Sequence, residues 1–172
     1  MEVVEILKKF YQERKIDAYQ RKYDFGLLLV IGGSYFYSGS PALAGMAAYR
    51  AGVDMVRIFA PKRAADIIAS FSPNLAAFPL AGDYFEKKHV SLLKEQILAA
   101  KEVSRGNVAL VIGGGLGRSK ITKEATRELL REIEIKTVID ADAIYAVAEE
   151  PTILAQKPFL ICLLYTSDAA DE

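Results

Sequence analysis

Twice along this chain a continuous apolar run ends in a cluster of glycines that opens onto a stretch of helix-forming residues. The first instance is 27–45, LLLVIGGSYFYSGSPALAG, and the second is 108–118, VALVIGGGLGR. An apolar run without polar alternation suits a strand covered on both faces, as in parallel sheets flanked by helices. In such sheets the strand ends and helix N-termini gather ligands, and glycine, lacking Cβ, lets a ligand lie against the backbone. Two turns of this kind point to a long, flat, phosphate-bearing ligand rather than a small metabolite.

Neither turn is one of the common phosphate motifs. The first has no Gly-Lys-Ser/Thr after four intervening residues, so it is not a P-loop. Gly32, Gly33 and Gly39 cannot be aligned on Gly-x-Gly-x-x-Gly, and the second turn, from Gly113 to Gly117, carries Arg118 where that pattern needs its last glycine. By glycine content alone each turn reads equally well as a tight strand-to-helix corner.

The rest of the chain alternates strand and helix signals. Residues 3–19 have Val3, Ile6, Leu7, Phe10 and Tyr11 at helical spacing, with one apolar face. A polar turn at 21–26 precedes a strand at 27–31. Ser40 as N-cap and Pro41 at the first helical position then start a helix of small residues, which Gly52 ends. A strand at 55–60, a helix from Pro61 to about 70, and a turn at 72–74 come next. The strand at 75–80 is weakened by Pro79. A helix over 85–103 turns Leu92, Leu93, Ile97 and Leu98 inward, and a strand over 107–112 leads into the second glycine turn. Thr122 caps a helix reaching about 132, a strand covers 137–140, and a short helix ends near 148. This order predicts a three-layer α/β/α domain with a mostly parallel sheet.

At 172 residues and zero formal charge the chain can bury a core, and it lacks the basic stripe that nucleic-acid binding needs. No apolar run is long enough to span a membrane, and the charged N-terminus is not a signal peptide. One Cys and one His make a disulfide or zinc site improbable, and a cytoplasmic protein acting on a small molecule is expected. Residues 162–172, CLLYTSDAADE, read as a translated sequencing adapter rather than native protein. Residues 1–161 are then the native part, led by a helix within 1–20, and without Asp168, Asp171 and Glu172 it gains a small basic excess. Residues 157–161 read as an incoming strand that breaks off mid-element.

Asp140 and Asp142 end the strand at 137–140. Two carboxylates at this spacing can hold a sugar hydroxyl or a hydrated cation; alternatively one caps the helix starting near Ala143. Tyr35, Phe36 and Tyr37 are either a loop plug packed on the core or a wall against a planar ring. His89, flanked by Lys87, Lys88 and Val90, is expected to be solvated, as is the charged face over 86–101.

Taken together, Lys22-Tyr23-Asp24-Phe25-Gly26, the segment LLLVIGGSYFYSGSPALAGMAAYRAGVDMV, Pro73-Asn74-Leu75 with Phe78-Pro79-Leu80, VIGGGLGR and TVIDADAIYAVA resemble the ADP/ATP-dependent NAD(P)H-hydrate dehydratases of the ribokinase-like superfamily. The match covers residues 22–161 in family order. Tyr23 stands where the family usually has Gly, Ser40 where it has Ala, and Gly114 where it has Pro. The resemblance implies a ribokinase-like fold and repair of hydrated NADH or NADPH, with ADP or ATP as phosphate donor, Mg2+ alongside, and a homo-oligomeric parent. Carried over by position, Ser40 and Gly117 would contact the hydrated dinucleotide. Gly32, Gly33, Ser34 and Gly115 would shape the floor, and Asp140 and Asp142 would line the strand ends. The family's Thr-Pro-His segment and its Gly-Thr-Gly-Asp turn, which binds nucleotide phosphates and supplies the catalytic Asp, are absent, so no catalytic residue is assigned and the chain itself is expected to be inactive. The alternatives are another ribokinase-like small-molecule kinase of the hydroxyethylthiazole type, or a non-catalytic dinucleotide-binding module.

Overall fold

The computed structural model describes residues 2–12 and 19–162. Six strands form one all-parallel sheet: β1 (Leu27–Ile31), β2 (Met55–Pro61), β3 (Ala76–Leu80), β4 (Val108–Ile112), β5 (Lys136–Asp140) and β6 (Phe159–Cys162). Their spatial order is β3-β2-β1-β4-β5-β6. The α-helices are α1 (Val3–Gln12), α2 (Gly39–Ala51), α3 (Lys62–Phe71), α4 (Val90–Val103), α5 (Lys120–Glu132) and α6 (Asp142–Ala148).

Strand periodicity sorts the core into two layers. Leu27, Leu29 and Ile31 of β1 face Leu93 and Ile97 of α4 and Leu129 and Leu130 of α5. Val30 faces the opposite way, into the layer of α2 and α3 with Ala42, Ala64 and Ile68. Parallel crossovers are right-handed, so a chain that winds from β1 out to β3 and then returns past β1 to β4 puts its helices on opposite faces in the two halves. The small residues of α2 let it lie close to the sheet, since a Cβ on Gly45 would already come within 3.0 Å of Leu75 and 3.1 Å of Ile58. Pro79 is accommodated because β3 is an edge strand.

Several expectations are corrected. Ser38, not Ser40, precedes α2; the helix begins at Gly39, so Ser40 and Pro41 both lie in its first turn, where an N–H needs no helical partner. Pro61 closes β2 and is the N-cap of α3 rather than its first residue. Ser119 caps α5 by accepting the Thr122 N–H, while Thr122 itself is buried. α4 starts at Val90, after a 3-10 turn over Lys87–His89, and Leu98 is 64% exposed; Val90 and Ala100 take inward positions instead. The leading helix is described to Gln12, and the expected continuation over 13–18 lies outside the described residues. The strand expected at 157–161 is observed over Phe159–Cys162, with Cys162 opposite Asp140. Residues 163–172, most of the segment read as an adapter, lie outside the described residues.

His89 departs most. It is 4% exposed and stacks on Phe85; its Nδ1 accepts the Glu86 N–H at 3.1 Å and its Nε2 donates to the Ala81 carbonyl at 2.9 Å. A ring nitrogen that accepts a backbone N–H must be unprotonated, so the site holds neutral imidazole. Burial pushes the His89 pKa down, with Lys88 adding to the effect against the opposing pull of the Ala81 carbonyl and Glu86. The unfolded chain therefore binds a proton that the folded chain rejects, and stability present above the unfolded histidine pKa is lost as pH falls through the folded value. Urea unfolding at pH 7.5 and pH 5 is expected to show lower stability at pH 5 in the native chain, with a smaller loss in His89→Gln; equal losses would refute the assignment.

Candidate functional site

A doubly wound sheet opens a crevice where the strand order reverses, beyond the carboxyl ends of the two strands that flank the reversal. Here those strands are β1 and β4, and each runs directly into one of the glycine turns. The turns bond to one another: Gly33 N–H donates to the Gly114 carbonyl at 2.8 Å, and Gly113 N–H to the Ile31 carbonyl at 3.1 Å. Gly32 N–H reaches sideways to Phe59 on β2 at 3.2 Å. The result is one continuous backbone floor.

Above it lies a cavity of about 620 Å3 lined by Tyr37, Gly39, Ser40, Gly115, Gly117, Arg118 and Asp142. Gly115 has a φ of 71°, and a Cβ there would press to 2.8 Å from the Tyr37 Cβ, so the absence of a side chain lets the aromatic wall close down on the floor. Tyr35, Phe36 and Tyr37 are 47%, 72% and 61% exposed, which excludes the core-plug reading. The loop is held from outside: the Arg63 guanidinium donates to the Tyr35 carbonyl at 2.6 Å and lies over its ring, and Tyr35 N–H donates to Asp83. Ser34, 2% exposed, donates its N–H to the Tyr37 carbonyl and so closes the loop rather than lining the cavity.

The two aspartates take different places. Asp142 opens α6 and spends both carboxylate oxygens inside the protein, Oδ2 on the Gly117 N–H at 2.9 Å and Oδ1 on Arg118 Nε at 2.8 Å. The Arg118 guanidinium in turn lies 3.8 Å from the centre of the Tyr145 ring. Asp140 does not line the cavity, and its buried Oδ1 has no hydrogen-bond partner among the described residues. Burial, followed by the neighbouring Asp140 carboxylate, pushes the Cys162 thiol up from its ordinary value. Of the residues carried over by position, the structure brings Ser40, Gly115, Gly117 and Asp142 to the cavity, and sets Gly32, Gly33 and Ser34 in the turn beneath it. Arg118 and Gly39 were missed by motif reading. The only sign of Arg118 was its standing where a dinucleotide fingerprint needs glycine. Among the described residues no group of three or more His, Cys, Asp or Glu could hold a metal ion.

The model of one family, NAD(P)H-hydrate dehydratase, matches residues 28–161, spanning both glycine turns and the Asp140–Asp142 corner. The chain belongs to the NAD(P)H-hydrate dehydratase family. The bifunctional NAD(P)H-hydrate repair enzyme Nnr of Pyrobaculum aerophilum is 45% identical over 128 residues, 73% of this chain and 24% of that protein. The ATP-dependent (S)-NAD(P)H-hydrate dehydratase of Emericella nidulans is 35% identical over 144 residues, 81% of this chain and 38% of that protein. The chain thus spans well under half the length of these relatives. A ribokinase-like superfamily protein of Enterococcus faecalis superposes with a TM-score of 0.65 at 18% identity, over 83% of this chain and 46% of that one, which shows the shared fold.

The structure bears on the three positions at which the resemblance described above is imperfect, Tyr23, Ser40 and Gly114. Tyr23 has a φ of 76°, the left-handed region that suits the usual glycine. Ser40 and Gly114 face one another. A Cβ on Gly114 would run into Ser40 Oγ and lie 3.0 Å from Ser40 Cβ, so the hydroxyl fills the space a proline ring would need.

Proposed function

We propose that this chain forms the substrate side of a nicotinamide-nucleotide repair enzyme, which dehydrates NADH hydrate or NADPH hydrate at the expense of ATP or ADP. The observation that carries this reading is the meeting of the two glycine turns at the β1/β4 reversal, beneath one cavity with an aromatic wall. A backbone floor fits a flat dinucleotide, and Tyr37 offers a face to a planar ring. Ser40 and Gly117 would contact the substrate, with Gly32, Gly33, Ser34 and Gly115 shaping the floor. Asp142 serves by holding the second turn, because both of its oxygens are already occupied. Asp140 does not line the cavity, and its Oδ1 is buried.

The chemistry follows from leaving-group ability. Hydroxide leaves a hydrated nicotinamide ring poorly. Transfer of a phosphoryl group from ATP to the ring hydroxyl gives ADP and a phosphate ester; loss of phosphate from the ester, with a ring proton, restores the dihydronicotinamide. The ATP dependence named for the Emericella nidulans relative supports the donor. The 172 residues contain neither Gly-Thr-Gly-Asp nor Thr-Pro-His, so the donor subsite is assigned outside them. Calorimetric titration is expected to show binding of NADH hydrate and none of a thiazole alcohol. A coupled assay with ATP or ADP is expected to show no recovery of dihydronicotinamide absorbance. Turnover by the chain would refute the division of labour, and failure to bind NADH hydrate would refute the substrate assignment.

A further inference from the structure

Arg118 is built into the cavity rim in a way that its structural contacts do not exhaust. Its Nε is fixed by Asp142 Oδ1 at 2.8 Å, and its face rests on Tyr145 at 3.8 Å. Asp142 is itself anchored by the Gly117 N–H and by its place in the first turn of α6, where a carboxylate is favoured by the helix dipole. The guanidinium is therefore held in one plane from two directions. Only Nε is used: among the described residues Nη1 and Nη2 have no acceptor, and the side chain is 59% exposed at the cavity. Among the described residues Arg118 is also the only Lys, Arg or His that lines this cavity. A guanidinium held by its Nε and face, with its paired terminal N–H groups open, matches the oxygens of a phosphate bidentately.

We infer that Arg118 is a specificity-determining residue that grips a phosphate of the bound dinucleotide through its two terminal nitrogens. The inference rests on the dinucleotide reading above. Phosphate is the shared chemistry, and it can come from the pyrophosphate bridge or from the additional phosphate on the ribose of NADPH hydrate. Asp142 and Tyr145 position the fork, and the ligand meets its free edge.

The test compares the full chain with Arg118→Gln and Arg118→Lys by calorimetric titration with NADH hydrate, NADPH hydrate and the hydrate of reduced nicotinamide riboside, which has no phosphate. Arg118→Gln is expected to bind the dinucleotides about 10- to 100-fold more weakly, a range set by charge-assisted hydrogen bonds. The riboside is expected to bind the native chain and the variant equally, which also shows that the variant is folded. Arg118→Lys keeps the charge without the fork and should fall between the two. The gap between native chain and Gln variant should narrow as salt is raised. Equal loss for both NADH hydrate and NADPH hydrate assigns the pyrophosphate; loss confined to NADPH hydrate assigns the ribose phosphate. Native binding of NADH hydrate and NADPH hydrate with no loss of either in Arg118→Gln, or equal loss of the riboside, overturns the role of Arg118 alone. Absence of dinucleotide binding by the native chain overturns the dinucleotide reading and this inference with it.

Discussion

Gly113→Ala is expected to abolish cooperative folding. Gly113 directly follows β4 with a φ of 137°, and a Cβ there would overlap the Asp140 carbonyl oxygen, 2.7 Å from the carbonyl carbon and 3.0 Å from the Ala143 Cβ. These neighbours are backbone and the start of a buried helix, so no side chain can swing aside. Relief would have to part β4 from β5, which are paired from Ala109–Lys136 through Ile112–Ile139 in the interior of the sheet. Forbidden backbone geometry and an immovable clash together are expected to cost more than about 4 kcal/mol, a large share of the stability of a typical domain. Urea unfolding checks this, with Gly106→Ala as the comparison. Gly106 also has a positive φ, 85°, but its Cβ would meet nothing within 4 Å, so its loss should be only about 1 kcal/mol. Similar midpoints for the two variants would show that the close approach of β4 to Asp140 is not a constraint.

Gly39→Phe is expected to do the reverse, leaving the fold intact and removing ligand binding. Gly39 is the first residue of α2 and lines the cavity, and a Cβ there would meet nothing within 4 Å at an ordinary φ. The helix loses nothing, so stability should change by less than about 1 kcal/mol. A benzyl group projecting from this position occupies the space over Ser40 and Gly115. Titration with NADH hydrate is expected to show at least about 100-fold weaker binding, the scale set when a bulky group displaces a ligand from its only seat. Unchanged binding at unchanged stability would remove this cavity as the substrate site.

Much of the fold was open to reading from residues alone. The runs at 27–31 and 108–112 are strands at their expected limits or within one residue of them. Gly52 ends α2 in the left-handed conformation. Local signals failed where two candidates competed over a few residues. Ser38 stands in the Ncap position of α2 that Ser40 also suited, and Ser119 outbid Thr122 at α5, because a cap is chosen by where the chain turns and not by residue type. His89 looked solvated after its two lysines, since its burial comes from Phe85 and the Ala81 carbonyl, which reach it through loop geometry that spacing does not reveal.

The alternation of strand and helix, the glycine turns that end two buried strands, and the family-specific order of segments are properties of the sequence by itself, because each depends on neighbours in the chain. Only the tertiary structure makes the two turns a single floor. Right-handed crossovers on opposite faces of the sheet bring β1 beside β4, and residues far apart in sequence then exchange backbone hydrogen bonds. The same closure joins Arg118, Asp142 and Tyr145 from two segments into one rim. The physical reason is that a hydrogen bond or a stacked ring needs proximity in space, and proximity was decided by the order in which the strands were laid down.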